Sequence, residues 1–287
     1  MDIHTDPIEM QTLCRSIRRK GRTIGFVPTM GALHEGHFSL IRQARAVADI
    51  CAVSIFVNPA QFGPSEDYAK YPRPFEKDCD AAGREGCDLL FAPKSSDMYP
   101  ENYLTRVAVI DITSRLCGAS RPGHFRGVTT IVLKLFNIVQ PDYAVFGQKD
   151  AQQAIVIQRM IDDLHVPVTI VVAPTVREPG GLAVSSRNAY LTKSERDDVP
   201  RIYQALHLVE QAFEKGERSA QSLKSFLESR FAEARFFRPE YCEIVDTTLL
   251  KPLDHIKTTA LVAVACRTTE SGTRLIDNVV LGALKEE

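Results

Sequence analysis

Short apolar runs alternate with longer stretches of helical periodicity through the first 175 residues. No other feature limits the possible folds as strongly. TIGFVP (23–28) and CAVSIFV (51–57) are brief and almost uniformly apolar, as strands buried on both faces are. Between them, HFSLIRQARAVAD places Phe38, Leu40, Ile41, Ala44, Val47 and Ala48 close to helical spacing, which completes a βαβ unit. DLLFAP (88–93), VAVIDI (107–112), YAVFG (143–147) and VTIVVAP (168–174) predict further strands. Helices are expected near 75–86, 127–139 and 150–165. This order predicts an α/β fold, a doubly wound parallel sheet with helices on both faces.

After Pro174 the pattern changes. TVREPGGLAVSSRNAYLT is rich in turn formers and polar residues and predicts a loop or hinge. Two helical stretches follow, KSERDDVPRIYQALHLVEQAFEKG and SAQSLKSFLESRFAEA, and then three strand candidates, YCEIVD, ALVAVACR and TRLIDNVVL. The expectation is a larger domain over 1–175 and a smaller carboxyl-terminal α+β domain over 176–287. In these 287 residues, 35 basic side chains balance 36 acidic ones, which offers no bulk charge to draw a nucleic acid or a membrane surface. The basic cluster Arg15, Arg18, Arg19, Lys20 and Arg22 reads as the solvated end of a first helix. No apolar run approaches the roughly 18 residues of a membrane span. Seven scattered cysteines without a C-x-x-C pair argue against a disulfide framework or a structural zinc site. A reduced, cytoplasmic protein is expected.

The stretch PTMGALHEGHFSLI (28–41) lies where the first buried strand should turn into a helix. Ligands of open parallel sheets bind beyond the carboxyl ends of the strands. There Gly31 lets the backbone pass close to a ligand, and a helix beginning near Gly36 offers N–H groups and a positive dipole end to an anion. His34 and His37 fall on one face of the first turn, where two imidazoles can meet phosphate oxygens and the charge that develops on a leaving pyrophosphate. The alternative is plain: a histidine at a helix start is also an ordinary surface or capping residue. The spacing is not the H-E-x-x-H of zinc proteases, and no G-x-x-x-x-G-K-[ST] loop occurs.

Three further clusters carry chemistry. FVNPAQF brings Asn58 and Gln61 to a second strand end. FGQKDAQQ brings Gly147, Lys149, Asp150 and Gln153 to a third, and AVSSRN sets Ser185, Ser186 and Arg187 in the hinge. Hydroxyls and a guanidinium in a mobile loop suit a closing phosphate clamp.

Together these segments resemble a known family. PTMGALHEGH is similar to the H-x-G-H motif of the nucleotidyltransferase superfamily. With SIFVNPAQF, the YP at 71–72, MYP (98–100), RPGHFRGV, VFGQKDAQQ and PTVREPGGLAVSSRN, the stretch from 26 to 191 resembles the pantoate–β-alanine ligases. The resemblance implies a Rossmann-like nucleotide- and pantoate-binding domain and a small lid domain. It implies ATP, (R)-pantoate and β-alanine as substrates, Mg2+ with the ATP, and a homodimer. The product would be pantothenate, made through a pantoyl adenylate. Carried over by residue, Met30, Gly31, Ala32, Leu33, His34, Glu35, Gly36 and His37 would form the nucleotide loop, with His37 the proton donor. Gly147, Gln148, Lys149 and Asp150 would also bind ATP, with Lys149 stabilising its phosphates. Val176 would lie beside the adenine, and Val184, Ser185, Ser186 and Arg187 would close over the phosphates. Gln61, Gln153 and Asn58 would hold pantoate, and Asp78 or Asp150 would meet the metal through water. Val184 stands where the family commonly has methionine, and Gln148 where it often has glutamate.

Two other readings stay open on the residues alone. One is a related nucleotidyltransferase that adenylates a phosphate ester, against which Gln61 and Gln153 speak because a second phosphate would call for more Arg or Lys. The other is a nucleotide-binding regulator without turnover, against which the full set His34, His37, Lys149, Ser186 and Arg187 speaks.

Overall fold

The computed structural model describes residues 1–64 and 66–282. They form two compact units. One gathers residues 1–114, 118–148 and 153–174, and the other gathers 115–117, 149–152 and 175 onward.

The first unit is built on a six-stranded sheet with the order β1-β4-β3-β2-β5-β6. Its strands are β1 (Asp2–His4), β2 (Ile24–Thr29), β3 (Ile50–Ile55), β4 (Leu89–Phe91), β5 (Tyr143–Gly147) and β6 (Thr169–Ala173). Every pairing is parallel. Alternation along β2 and its neighbours divides the core in two. Ile24, Phe26, Ala52, Phe91 and Phe146 pack with α1 (Pro7–Arg19), α6 (His124–Val139) and α7 (Ala151–Leu164). Val27, Val53, Leu90 and Val145 pack with α2 (Glu35–Val47) and α3 (Phe75–Arg84). This is the doubly wound arrangement that the uniformly apolar strands foretell.

Several helix starts follow from local chemistry. Asp6 caps α1, its carboxylate accepting the N–H of Ile8 and of Glu9 at 2.7 and 2.9 Å, and Pro7 opens the helix. The basic cluster at the other end of α1 is exposed, as expected.

Pro28 sits inside the central strand β2 and has no N–H to give a neighbour. The β2–β3 ladder runs through Thr29, whereas the β2–β5 ladder contains only Gly25 and Phe26. The strands therefore part toward their carboxyl ends at the point where the strand order reverses, between β2 and β5. That is the position at which open α/β sheets bind ligands.

One sequence expectation is corrected here. Residues 107–112 are not a strand. Val107 N–H donates to Thr130 Oγ1 at 3.0 Å and its carbonyl accepts from Thr129 Oγ1 at 2.7 Å, so α6 side chains satisfy the groups a sheet neighbour would have taken. Conversely, the polar start of the chain supplies β1, which pairs Asp2, Ile3 and His4 with Leu89, Leu90 and Phe91.

The second unit is α+β. An antiparallel sheet of β7 (Phe237–Val245), β8 (Ala260–Thr268) and β9 (Arg274–Leu281) shares a core with α9 (Pro200–Glu214) and α10 (Ala220–Ala232). The stretch expected as one helix from 193 onward is two. Val199 ends α8 (Lys193–Asp198) and precedes Pro200, which starts α9 because it cannot supply the N–H that would continue α8. Residues 115–117 and 149–152 belong with this unit through side-chain bonds. The Gln152 amide donates to Arg115 O and accepts from Cys117 N–H, while Asn278 Nδ2 donates to Lys149 O.

Candidate active site

The loop after β2 is held open by a carboxylate. Gly31 has φ +82, and a Cβ there would lie 3.0 Å from Asp78 Oδ2. Ala32 follows at φ 51, a conformation a non-glycine residue adopts only when something holds it. The two oxygens of Asp78 do so, accepting the N–H of Ala32 and of Leu33 at 2.8 Å each. Gly31 N–H meets Thr29 Oγ1 at 3.1 Å, and that hydroxyl donates to Ser54 O at 2.7 Å. Asp78 is only 3% exposed. Burial pushes its carboxyl up from the usual range, although the amides of Leu33 and Ala32 pull the other way.

His34 and His37 are brought together as the helical spacing foretells. His34 is the N-cap of α2 with extended backbone, and His37 occupies the third helical position. Their ring centroids are 4.1 Å apart. His37 N–H donates to His34 O at 2.7 Å, and His34 N–H points at His37 Nδ1 at 3.4 Å. A lone pair at Nδ1 places the proton of a neutral His37 on Nε2, which makes that nitrogen a donor. The His37 ring thus takes up the N–H of the N-cap residue, which brings the two rings together. A Cβ on Gly36 would lie 3.0 Å from the His34 ring. Glu35, also expected in the nucleotide loop, pairs with Arg42 at 2.6 Å on the exposed side of α2.

The residues expected around pantoate divide in role. Asn58 is 1% exposed, and both atoms of its amide are engaged. Its Oδ1 accepts from Tyr99 OH at 2.7 Å and Ala60 N–H at 3.3 Å; its Nδ2 donates to Gly127 O at 3.1 Å and Gln61 Oε1 at 3.0 Å. Asn58 thus supports the side chain of Gln61, with both ends of its own amide taken up inside the protein. The orientation propagates. A backbone N–H can only donate and a carbonyl only accept, so the Asn58 amide has one orientation, which makes Gln61 Oε1 an acceptor and leaves Nε2 as the donor end. That Nε2 lies 3.0 Å from Met30 Sδ. Gln153, half-buried near the start of α7, has no hydrogen-bond partner for its amide among the described residues.

In the second unit, a bridge between Arg177 and Ala183 brings Val176 and Val184 together, with Val184 N–H donating to Val176 O at 3.0 Å. Arg177 anchors this turn, bidentate to the buried Asp277 at 2.6 and 2.9 Å and 3.8 Å from the Tyr203 ring centroid. Ser185 caps a single 3-10 turn, Ser186–Tyr190, by accepting Arg187 N–H at 3.3 Å. The hinge is thus a tied turn followed by a capped one. Lys149 Nζ lies 3.9 Å from Asp150 Oδ2.

The donor set does not form a metal cage. No group of three or more His, Cys, Asp or Glu among the described residues could hold an ion. Asp78 was expected to meet the metal through water, but its oxygens carry the loop amides of Ala32 and Leu33. Asp150 remains half exposed at its side chain.

Sequence reasoning missed three supports: Asp78 as a loop clamp, Tyr99 behind Asn58, and Arg121 with His124 behind Gln61. The last two lie within the MYP and RPGHFRGV segments, which were visible as motifs but carried no assigned role.

A parallel sheet whose strands part beyond β2, with the H-E-G-H helix start at that strand end, defines an open α/β protein with a ligand site at its switch point. Residues 2–280 match the family model for pantoate-beta-alanine ligase. A pantothenate synthetase of Moorella thermoacetica is 53% identical over 264 residues, covering 92% of this chain and 93% of that protein. The crystal structure of a pantothenate synthetase from Thermus thermophilus superposes with a TM-score of 0.91 at 42% identity, covering 97% of this chain and 99% of that one. A pantoate-beta-alanine ligase from Francisella tularensis, solved with beta-gamma ATP and beta-alanine, gives 0.77 at 34% identity and covers 98% and 97%. The chain belongs to the pantoate–beta-alanine ligase family.

Proposed function

We propose that the protein condenses (R)-pantoate with β-alanine at the expense of ATP, through a pantoyl adenylate. A pantoate carboxylate oxygen attacks the α-phosphorus, and the bond to the β-phosphate oxygen breaks, releasing pyrophosphate. The β-alanine amine then attacks the acyl carbon; a C–N bond forms, AMP leaves with the electron pair of the acyl C–O bond, and the amine gives up a proton. The observation that carries this reading is the helix start with the paired rings of His34 and His37 at the carboxyl end of β2. Free N–H groups and the Nε2–H of His37 suit charge growing on departing pyrophosphate.

In this reading Met30, Gly31, Ala32, Leu33 and Gly36 shape the loop against the nucleotide. Gly147, Gln148, Lys149 and Asp150 bind ATP, and Lys149 acts on the phosphates. Val176 and Val184 pack on the adenine, and Ser185, Ser186 and Arg187 bind the phosphates. Gln61 and Gln153 hold pantoate through its hydroxyl and carboxylate oxygens, which Gln61 Nε2 meets as a donor. Mg2+ arrives on ATP as part of the substrate, and Asp150 is the carboxylate suited to meet its water shell.

The protein further acts as a homodimer in the cytoplasm. Support for the dimer comes from the irregular segment 103–111, where Leu104 is 92% and Ile110 79% exposed while Val107 and Val109 pack against the core. No helix among the described residues is long and apolar enough to cross a membrane. The test is ATP–pyrophosphate exchange without β-alanine. Exchange that requires pantoate supports the adenylate; ATP binding without exchange refutes it.

A further inference from the structure

His124, Arg121 and Glu66 form a chain of bonds that ends on the backbone of Gln61, and none of the three has a part in the chemistry above. Arg121 grips Glu66 with two bonds, Nε to Oε1 at 2.7 Å and Nη2 to Oε2 at 2.6 Å. Its Nη1 lies 3.0 Å from His124 Nε2, and Nη2 also reaches Gln61 O at 3.4 Å. His124 Nδ1 lies 2.7 Å from that same carbonyl. A guanidinium only donates, so Nε2 of His124 is the acceptor. A carbonyl only accepts, so Nδ1 carries the proton. In the neutral ring these two contacts select one tautomer.

The other side of the same turn is closed by α6. A Cβ on Gly127 would lie 2.2 Å from Ala60 O, so residues 59–61 rest directly on the helix that His124 begins. Gln61 is thus held at both ends, its carbonyl by His124 and its side-chain amide by Asn58.

We propose that His124 is a positioning residue for pantoate, acting through Gln61: its Nδ1–H fixes the Gln61 carbonyl so that Nε2 of the same residue is presented to an oxygen of the acid. Protonation of the ring sets an N–H against the Arg121 guanidinium and breaks the chain. Among the described residues, the charged groups acting at the ring include Arg121, from the turn before α6, and Glu66, from the segment after residues 59–61; Phe125 packs edge-on with centroids 5.0 Å apart. Arg121 keeps the Glu66 carboxylate ionised, holding it below its usual range against the effect of burial.

This rests on Gln61 holding pantoate, and the experiment separates the two. Asparagine places its amide nitrogen near the Nδ1 position of histidine, whereas glutamine reaches the Nε2 position. His124→Asn therefore retains the donor to Gln61, and His124→Gln retains only a partner for Arg121. KM for pantoate and for ATP are measured by pyrophosphate exchange for both variants, for Gln61→Ala and for the wild type from pH 5.5 to 8. His124→Gln is expected to raise pantoate KM about tenfold with ATP KM within twofold, tenfold being about 1.4 kcal/mol, the order of one hydrogen bond. His124→Asn recovers most of that loss. Wild-type pantoate KM rises toward pH 5.5, and His124→Asn abolishes that rise. Equal defects in the two variants, or an unchanged pantoate KM in His124→Gln, overturn the proposal. Should His124→Gln not fold, a His124→Asn variant whose pantoate KM is itself raised about tenfold overturns it equally. If Gln61→Ala leaves pantoate KM unchanged, the assignment of Gln61 fails and this inference fails with it. A raised KM in Gln61→Ala beside an unaffected His124→Gln removes the positioning role alone.

Discussion

Asp78→Asn exchanges one carboxylate oxygen for an amide nitrogen and leaves the shape of the side chain intact. In the wild type the two oxygens accept from Ala32 and Leu33 at 2.8 Å each, in a setting only 3% exposed. Hydrogen bonds to a charged acceptor are worth about 1.5–3 kcal/mol each, against about 1 kcal/mol for neutral pairs. Asparagine keeps one neutral acceptor and turns its NH2 toward the other loop N–H, two donors facing each other. The local loss is on the order of 3 kcal/mol, since a buried N–H left without an acceptor costs about 1–3 kcal/mol. That bond energy holds Gly31 at φ +82 and Ala32 at φ 51, and the left-handed conformation disfavours Ala32 by roughly 1–2 kcal/mol. If about 2 kcal/mol reaches the transition state through a loosened loop, pantoate-dependent pyrophosphate exchange falls roughly 30-fold. The same assay, run as a Mg2+ titration, distinguishes a loop clamp from a metal ligand. A clamp leaves the half-saturating Mg2+ concentration unchanged while the plateau falls. An Asp78→Asn variant with wild-type exchange, or one rescued by high Mg2+, would refute the clamp.

Other perturbations follow from the same geometry. His37→Ala removes a donor aimed at developing charge and should lower kcat about 100-fold, on the order of 3 kcal/mol, with little change in ATP KM; full turnover in steady-state kinetics would exclude His37 from the chemistry. Gly127→Ala drives a Cβ to within 2.2 Å of Ala60 O, so the turn carrying Gln61 must shift. Calorimetry should show a loss of about 1–3 kcal/mol together with a higher pantoate KM, and an unchanged KM would mean the turn does not position Gln61. Glu195 is fully buried in the second unit. Burial alone would raise its carboxyl, but the amide and hydroxyl of Ser271 and the amides of Thr192 and Glu270 outweigh that and hold it at about 2, against 4.5 unperturbed. A depressed acid contributes stability above its unfolded value and loses it as pH falls toward the folded value, here from about 4.5 to about 2. The stability difference between wild type and Glu195→Gln in urea melts, about 3 kcal/mol at neutral pH, should shrink across that window; a difference independent of pH would show that the charge of Glu195 plays no part.

Much of the architecture was legible because it depends on local pattern. Continuous apolar runs mark strands buried on both faces, and the strands around TIGFVP, CAVSIFV, YAVFG and VTIVVAP lie close to where they were expected. The three strands and the helices of the second unit follow from the same periodicity. Residues 107–112 show the limit of that reasoning. Their alternation is strand-like, yet a strand needs a partner, and Thr129 and Thr130 of α6 took its place. β1 shows the converse: three residues without an apolar signature become a strand because β4 offers an unpaired edge.

The site divides in the same way. The sequence by itself determined the side chains that can do chemistry and their spacing along the chain. A separation of three places His34 and His37 on one helical face wherever a helix forms, and Gly31 permits its turn in any setting. Tertiary structure decided which polar groups support others. Asp78 lies 45 residues from Leu33, Tyr99 lies 41 from Asn58, and His124 lies 63 from Gln61. Hydrogen bonds across such distances leave no periodic trace, because they form only once separate elements have packed. Asn58 and Asp78 therefore read as ligand contacts in one dimension. In three dimensions both are buried, and their hydrogen bonds run to Gln61 and to the loop after β2.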